Sequence, residues 1–298
     1  MARLDIALFA SPLGHKELLD SLKKALPFAY QDYFKGILRL GNPDDSTFSV
    51  QLAGFRNDFY MKQLYEKALQ RYGTGSAPFK KLMLGLGRYN YYFPKKIVPR
   101  VVVCISALNY AAAVNDSTLF VGIDMYLGQD FEAYLAMNMP AYIRKRREPE
   151  FLHSESLRAW LLTEFPMTAD RPTFSENLIY HGRLMTILRK ILPDEKPYYI
   201  MGYTKEQWDF CEKNLRNIWQ YFVDAGLLQS RESRDVSRYF EEAPFSYGMP
   251  SETPGRTGIW LGWKIVENYL DQHPQVTLDS LMKIQDLQTI FLQSGFRP

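Results

Sequence analysis

Three glycines set into one apolar, aromatic run constrain this chain more than anything else in it. From Glu252 the sequence reads Glu-Thr-Pro-Gly-Arg-Thr-Gly-Ile-Trp-Leu-Gly-Trp-Lys-Ile-Val, ending at Val266. Thr253 suits a helix cap and Pro254 the first helical position, so the spacing predicts a helix over 254–270. On that helix Gly255, Gly258 and Gly262 form one strip, because offsets of three and seven residues stack on one side. Each glycine costs roughly 1 kcal/mol against alanine in a helix interior, so something close must lie along the strip. A second helix would explain it, and so would the backbone of a bound peptide. Arg256 falls in the first turn, where the helix dipole disfavours a cation, and is therefore expected to reach a carboxylate of the chain or an anionic ligand.

Around this run the pattern is strands first and helices after. Leu4, Ile6 and Leu8 alternate against Arg3 and Asp5 as in an opening strand. Leu18, Leu19, Leu22 and Leu26 follow at helical spacing, ending or kinking at Pro27. A second helix is expected from Asn57, as its cap, to Tyr72, stopped by Gly73-Thr74-Gly75-Ser76. Residues 97–105 and 119–124 are β-rich, and Asn115-Asp116-Ser117 lies between them as a turn, so residues 97–124 are expected to form a hairpin or meander. Beyond Gly128 the apolar rhythm is helical over 151–165, 174–192, 205–222 and 254–270. This order predicts an α+β protein, predominantly helical with a small antiparallel sheet, its strand-bearing part at 1–128 and its helical part at 129–298. No Gly/Ser linker and no repeat divides it, so a single domain is expected.

Composition narrows the function classes. The excess of 36 Lys and Arg over 33 Asp and Glu is too small to advertise a polyanion partner, so nucleic acid is not expected. The run Arg144–Arg147 beside Tyr142 is expected as a solvated face. The longest apolar stretch, beginning at Val101, falls far short of the roughly 20 residues a membrane helix needs, and the N-terminus carries no signal-peptide pattern, so a soluble chain is expected. Cys104 and Cys211 cannot build a disulfide framework or a cysteine metal site. Nucleotide-binding, hydrolase-elbow and calcium-loop motifs are absent.

One helix invites a catalytic reading. In Leu178-Ile179-Tyr180-His181-Gly182-Arg183-Leu184-Met185, His181 shares a face with Leu178 and Met185. A zinc-peptidase helix carries a Glu directly after its first His as the base, and a second His four residues on. Here those positions hold Gly182 and Met185. A lone imidazole does not hold a catalytic zinc, so no cofactor and no metal is expected; distant ligands leave His181 and Glu206 as the fallback pair.

The stretch 120–128 with Asp124 in it, Tyr180-His181-Gly182, Gly202-Tyr203-Thr204, Asn217-Ile218-Trp219 and the Pro254 to Trp263 run together resemble the GldB gliding-motility lipoproteins, in a similarity running from about Arg3 to Pro298. The resemblance implies a lipid-anchored, periplasm-facing envelope protein, with the anchor supplied by a full-length precursor and the partners being other proteins of the gliding and associated secretion machinery. It also implies a distant likeness to zincin-type peptidases whose metal helix is degenerate: His181 kept, base and second ligand lost.

Two function classes follow. The first is a non-catalytic domain that binds protein, with His181, Arg256, Gly258, Trp260, Trp263 and Asp124 as candidate binding residues. The second is a zinc-dependent peptidase with unconventional ligands. Glycan or lipid binding through Trp260 and Trp263 is a variant of the first.

Overall fold

The computed structural model describes residues 1–73 and 75–298. Its chain divides into two compact units: Met1–Leu86 with Lys95–Met139 and Arg147–Trp160, and Gly87–Pro94 with Pro140–Arg146 and Leu161–Pro298.

The first unit holds the sheet. It begins with β1 (Ala2–Arg3), which passes at once into α1 (Leu4–Phe9), followed by α2 (His15–Ala25), α3 (Phe48–Asn57), α4 (Phe59–Arg71) and α5 (Ala77–Tyr92), whose residues from Gly87 onward belong to the second unit. The expected opening strand is thus only two residues long. Leu4 and Leu8 are buried, a helical spacing, whereas Ile6 lies on the partly exposed side. Asp5 is fully buried beside them, held by two hydrogen bonds from the Arg3 guanidinium at 2.9 and 2.7 Å. Asp58, and not Asn57, caps α4 by accepting from Met61 N at 2.9 Å. At the far end of that helix Thr74, part of the expected stop signal, lies outside the described residues.

Strands β2 (Arg100–Cys104), β3 (Ala112–Asn115) and β4 (Thr118–Gly122) complete a sheet of order β1-β2-β4-β3. It is mixed where an antiparallel sheet was expected: β1 and β4 both run parallel to β2, and only the β3–β4 pair is antiparallel. The chain leaves β2, crosses beyond the place β4 will take, and returns through the two-residue loop Asp116-Ser117. Every residue of β4, and β2 from Val101 onward, is buried, as in the continuous apolar strands of sheets covered on both faces. Tyr33 and Phe34, in a π-helical turn over Asp32–Ile37, pack into this core, and the Tyr33 hydroxyl donates to Ile105 O at 2.9 Å.

Short helix α6 (Glu132–Ala136) belongs to the first unit and α7 (Ala141–Arg144) to the second, and α8 (Pro149–Glu164) starts in the first and ends in the second. The second unit is helical: α9 (Phe174–Ile191), α10 (Pro197–Met201), α11 (Lys205–Lys213), α12 (Leu215–Asp224), α13 (Ser233–Phe240), α14 (Thr257–Gln272), α15 (Leu278–Lys283) and α16 (Leu287–Gln293). The helix expected over 205–222 breaks at Asn214, whose side chain donates to Phe210 O at 2.9 Å and competes with the backbone ladder. The molecule is therefore α+β and mostly helical. Among the described residues no helix is long and apolar enough to cross a membrane.

Candidate functional site

Helix α9 is the axis of the second unit. Thr173 caps it, accepting from Glu176 N at 3.2 Å while the Glu176 carboxylate accepts from Thr173 N at 2.6 Å, a capping box that fixes the first turn. Phe174 then meets the rings of Phe222 and Phe240 at 5.0 and 5.1 Å. Almost every residue from Phe174 to Leu188 is buried, so this helix is enclosed on all sides, polar residues such as Asn177 and Arg183 included.

Helix α14 lies along it, and here the glycine strip finds its occupants. A Cβ on Gly262 would stand well inside 3.0 Å of Leu178 O, and one on Gly182 equally close to Gly262 O. Gly258 faces the Phe240 ring, 2.8 Å from where its Cβ would be, and Gly255 faces Ala243 O at 2.6 Å. The strip is filled by the chain's own helix, ring and loop. His181 is half-buried, its ring 5.3 Å from that of Phe240. Trp260 and Trp263 are both fully enclosed, so neither ring offers a face to a sugar.

The cap of α14 falls later than the sequence indicates. Thr253 makes no cap; the helix begins at Thr257 with Arg256 as its N-cap, at φ 62°. Only glycine enters that left-handed region freely. What holds Arg256 there is its side chain, 3% exposed. Its Nη2 donates to Met201 O at 2.7 Å and Gly202 O at 3.0 Å, at the carbonyl end of α10, where a cation is welcome. Its Nε pairs with Glu242 at 3.1 Å, the carboxylate expected for it. Arg146 pairs with the same Glu242. Tyr203 completes the cluster, donating to Gly255 O at 2.7 Å with its ring 5.7 Å from the Arg256 guanidinium carbon. The basic run is accordingly no solvated face. Arg146 belongs to this cluster, and Arg147, in the first unit, lies 3.7 Å from Glu155 and 5.9 Å from the Tyr126 ring.

In the first unit Asp124 follows β4 and is fully buried. Its carboxylate accepts from Ser106 N at 2.8 Å, Leu108 N at 2.7 Å and Ser106 Oγ at 3.1 Å. To present those donors the loop takes Ala107 and Leu108 through φ 56° and 61°, two successive residues in the left-handed region. Burial nevertheless pushes the carboxyl up from 3.8 to about 6, the hydrogen bonds opposing the shift. Asp124 thus pins the loop that leaves β2 to the end of β4.

The candidate residues therefore form two separate groups, one in each unit, and apart from half-buried His181 they are buried. Glu206 is exposed in the first turn of α11, where the helix end and the Thr204 hydroxyl hold its carboxyl below the usual range. Among the described residues no group of three or more His, Cys, Asp and Glu side chains could hold a metal, so His181 and Glu206 are not drawn into one. Cys104 and Cys211 are buried free thiols. Sequence reading missed Glu242 and Arg183. The signal for Arg183 was a lone charge two residues past His181 inside an apolar helix; Glu242 carried none.

Together these features define a mostly helical α+β protein in which Asp124 and Arg256 are engaged by the chain's own backbone and side chains. The chain belongs to the GldB family of gliding-motility lipoproteins, which it matches over residues 1–298. No curated protein and no solved structure matches it significantly.

Proposed function

We propose that this chain is a non-catalytic, periplasm-facing domain of a lipid-anchored envelope protein that supports the gliding machinery by binding another protein of it. The observation that carries the reading is the space at Gly182. Directly after His181, where a zinc-peptidase helix bears its base, the backbone of α14 leaves no room for any side chain. Met185, at the position of the second ligand, is buried in the core. A helix so engaged is a packing element, which supports the reading of a degenerate metal helix.

The binding role draws support from the first unit. Phe59 and Tyr60 open α4 side by side, their ring centroids 5.6 Å apart and the residues 71% and 69% exposed. Exposed aromatic pairs of this kind suit protein contacts.

The test is complementation of gliding in cells lacking their own copy. His181→Ala should glide, and Phe59→Ala with Tyr60→Ala should not, although both proteins fold and accumulate normally. Loss of gliding in a well-folded His181→Ala protein, together with zinc bound by the parent and not by the variant, would instead favour the peptidase with His181 and Glu206 as ligands.

A further inference from the structure

A cavity of about 190 Å³ opens in the second unit between the segment after α8, the side of α9 and the α15–α16 connection. Arg183 lines it from the middle of α9 and is 7% exposed. Its Nη1 donates to Leu281 O at 3.2 Å and Ile284 O at 3.1 Å, carbonyls at the end of α15. Among the described residues its Nε is buried without a hydrogen-bond partner and its Nη2 makes no hydrogen bond. Among the described residues no carboxylate comes within 4.0 Å of this guanidinium. Buried cations are ordinarily both paired and fully hydrogen-bonded, because removing an ion from water costs several kcal/mol. Burial lowers the Arg183 pKa to about 10, which still leaves it charged at neutral pH.

The walls say which anion belongs there. Glu164 and Glu176 also face the cavity, so a doubly charged phosphate would meet two carboxylates, whereas a single carboxylate with an N–H or ammonium beside it would find partners for both ends. Met167, Met282 and Ile284 supply apolar surface for an aliphatic side chain. The volume is below the roughly 300–1,000 Å³ of sites for drug-sized ligands, which limits the occupant to about one residue. We propose that the Arg183 cavity binds the α-carboxylate of an apolar amino acid, either the C-terminal residue of a peptide or the free amino acid. This inference stands independently of the function proposed above, since neither His181 nor the Phe59 surface takes part.

Calorimetric titration of the full chain tests it, with N-acetyl-alanyl-leucine, the same dipeptide as its C-terminal amide, L-leucine and inorganic phosphate as probes. The acid should bind, and the amide should bind about tenfold more weakly or worse, a loss of ~1.4 kcal/mol. Arg183→Gln should weaken the acid by a similar factor. Because that variant also strips the α15 carbonyls of their donor and could misfold, Ala169→Trp serves beside it. It fills the cavity from the exposed rim and leaves Arg183 in place. Tighter binding of L-leucine than of the dipeptide assigns the site to free amino acids, and the reverse to peptide ends. Equal affinity for acid and amide, tighter binding of phosphate, no heat from acid or leucine at millimolar concentration, or acid binding untouched by Ala169→Trp would each overturn the proposal.

Discussion

A Cβ on Gly182 would run into the carbonyl oxygen of Gly262, and a Cβ on Gly262 into that of Leu178, so two helices meet backbone to backbone where each lacks a side chain. Neither obstacle is a flexible group that could swing aside. The helices themselves would have to part, and the interior they share would open with them.

Gly182→Ala and Gly262→Ala should therefore each destabilise the protein by about 3 kcal/mol or more in urea unfolding, at the top of the range for overpacked cores. The double variant should lose less than the sum, because helices already separated by one methyl accommodate the second. Gly258→Ala meets the edge of the Phe240 ring, which can shift, so its cost should be about 1 kcal/mol and clearly smaller. Equal losses at all three positions would show that the backbone contact is not what limits the approach.

Arg256 reconciles a disfavoured backbone with an ion pair between its own buried guanidinium and the exposed Glu242 carboxylate. Arg256→Ala removes the Glu242 contact and both carbonyl bonds while leaving Arg146 against the same carboxylate, and should cost about 3 kcal/mol by chemical denaturation. Arg256→Lys should recover less than half of that, because an ammonium cannot span the carbonyls of Met201 and Gly202 and the carboxylate together. Full recovery by lysine would reduce the role of Arg256 to its charge.

Asp124 predicts a pH dependence with a definite sign. Its folded pKa of about 6 lies above the ordinary 3.8, so the folded state holds this proton more tightly than the unfolded chain does. The stability this group contributes is full below pH ~4 and is lost as pH rises through about 6, a change of about 3 kcal/mol. Unfolding free energies measured from pH 4 to 7 should show wild type losing ground to Asp124→Asn across that window. A constant difference between the two would mean the loop's donors hold the carboxyl at its ordinary value.

The capping box at α9 joins neighbours distant in sequence. Besides accepting from Glu176 N, the Thr173 hydroxyl accepts from Gln288 Nε2 at 3.0 Å, on α16. Thr173→Ala should cost about 1–2 kcal/mol, and hydrogen exchange should quicken in α16 as well as in the first turn of α9. Faster exchange confined to α9 would show that Gln288 does not rely on the cap.

Much of this architecture is written locally. The limits of α9 follow from Thr173, Glu176 and an uninterrupted apolar rhythm; β2 and β4 follow from their Val-rich runs; and the glycines of α14 require a close neighbour because each is costly alone. Such features need only a few adjacent residues, so the letters determine them. The chain alone also determines family membership, and it places Gly182 directly after His181.

Tertiary structure decided the rest. Leu4, Ile6 and Leu8 fit a strand or a helix equally over so short a span, and burial of Leu4 and Leu8 together settles it. The direction in which β2 meets β4 is not coded by strand composition, since parallel and antiparallel neighbours draw on the same residues and differ in where the connection runs. That the glycine strip receives α9, that Arg256 reaches Glu242, and that Arg183 is left facing a cavity without a counter-charge all depend on segments tens of residues apart arriving side by side. Periodicity carries no information about such meetings, because it specifies which face of an element is apolar and not which other face it will cover.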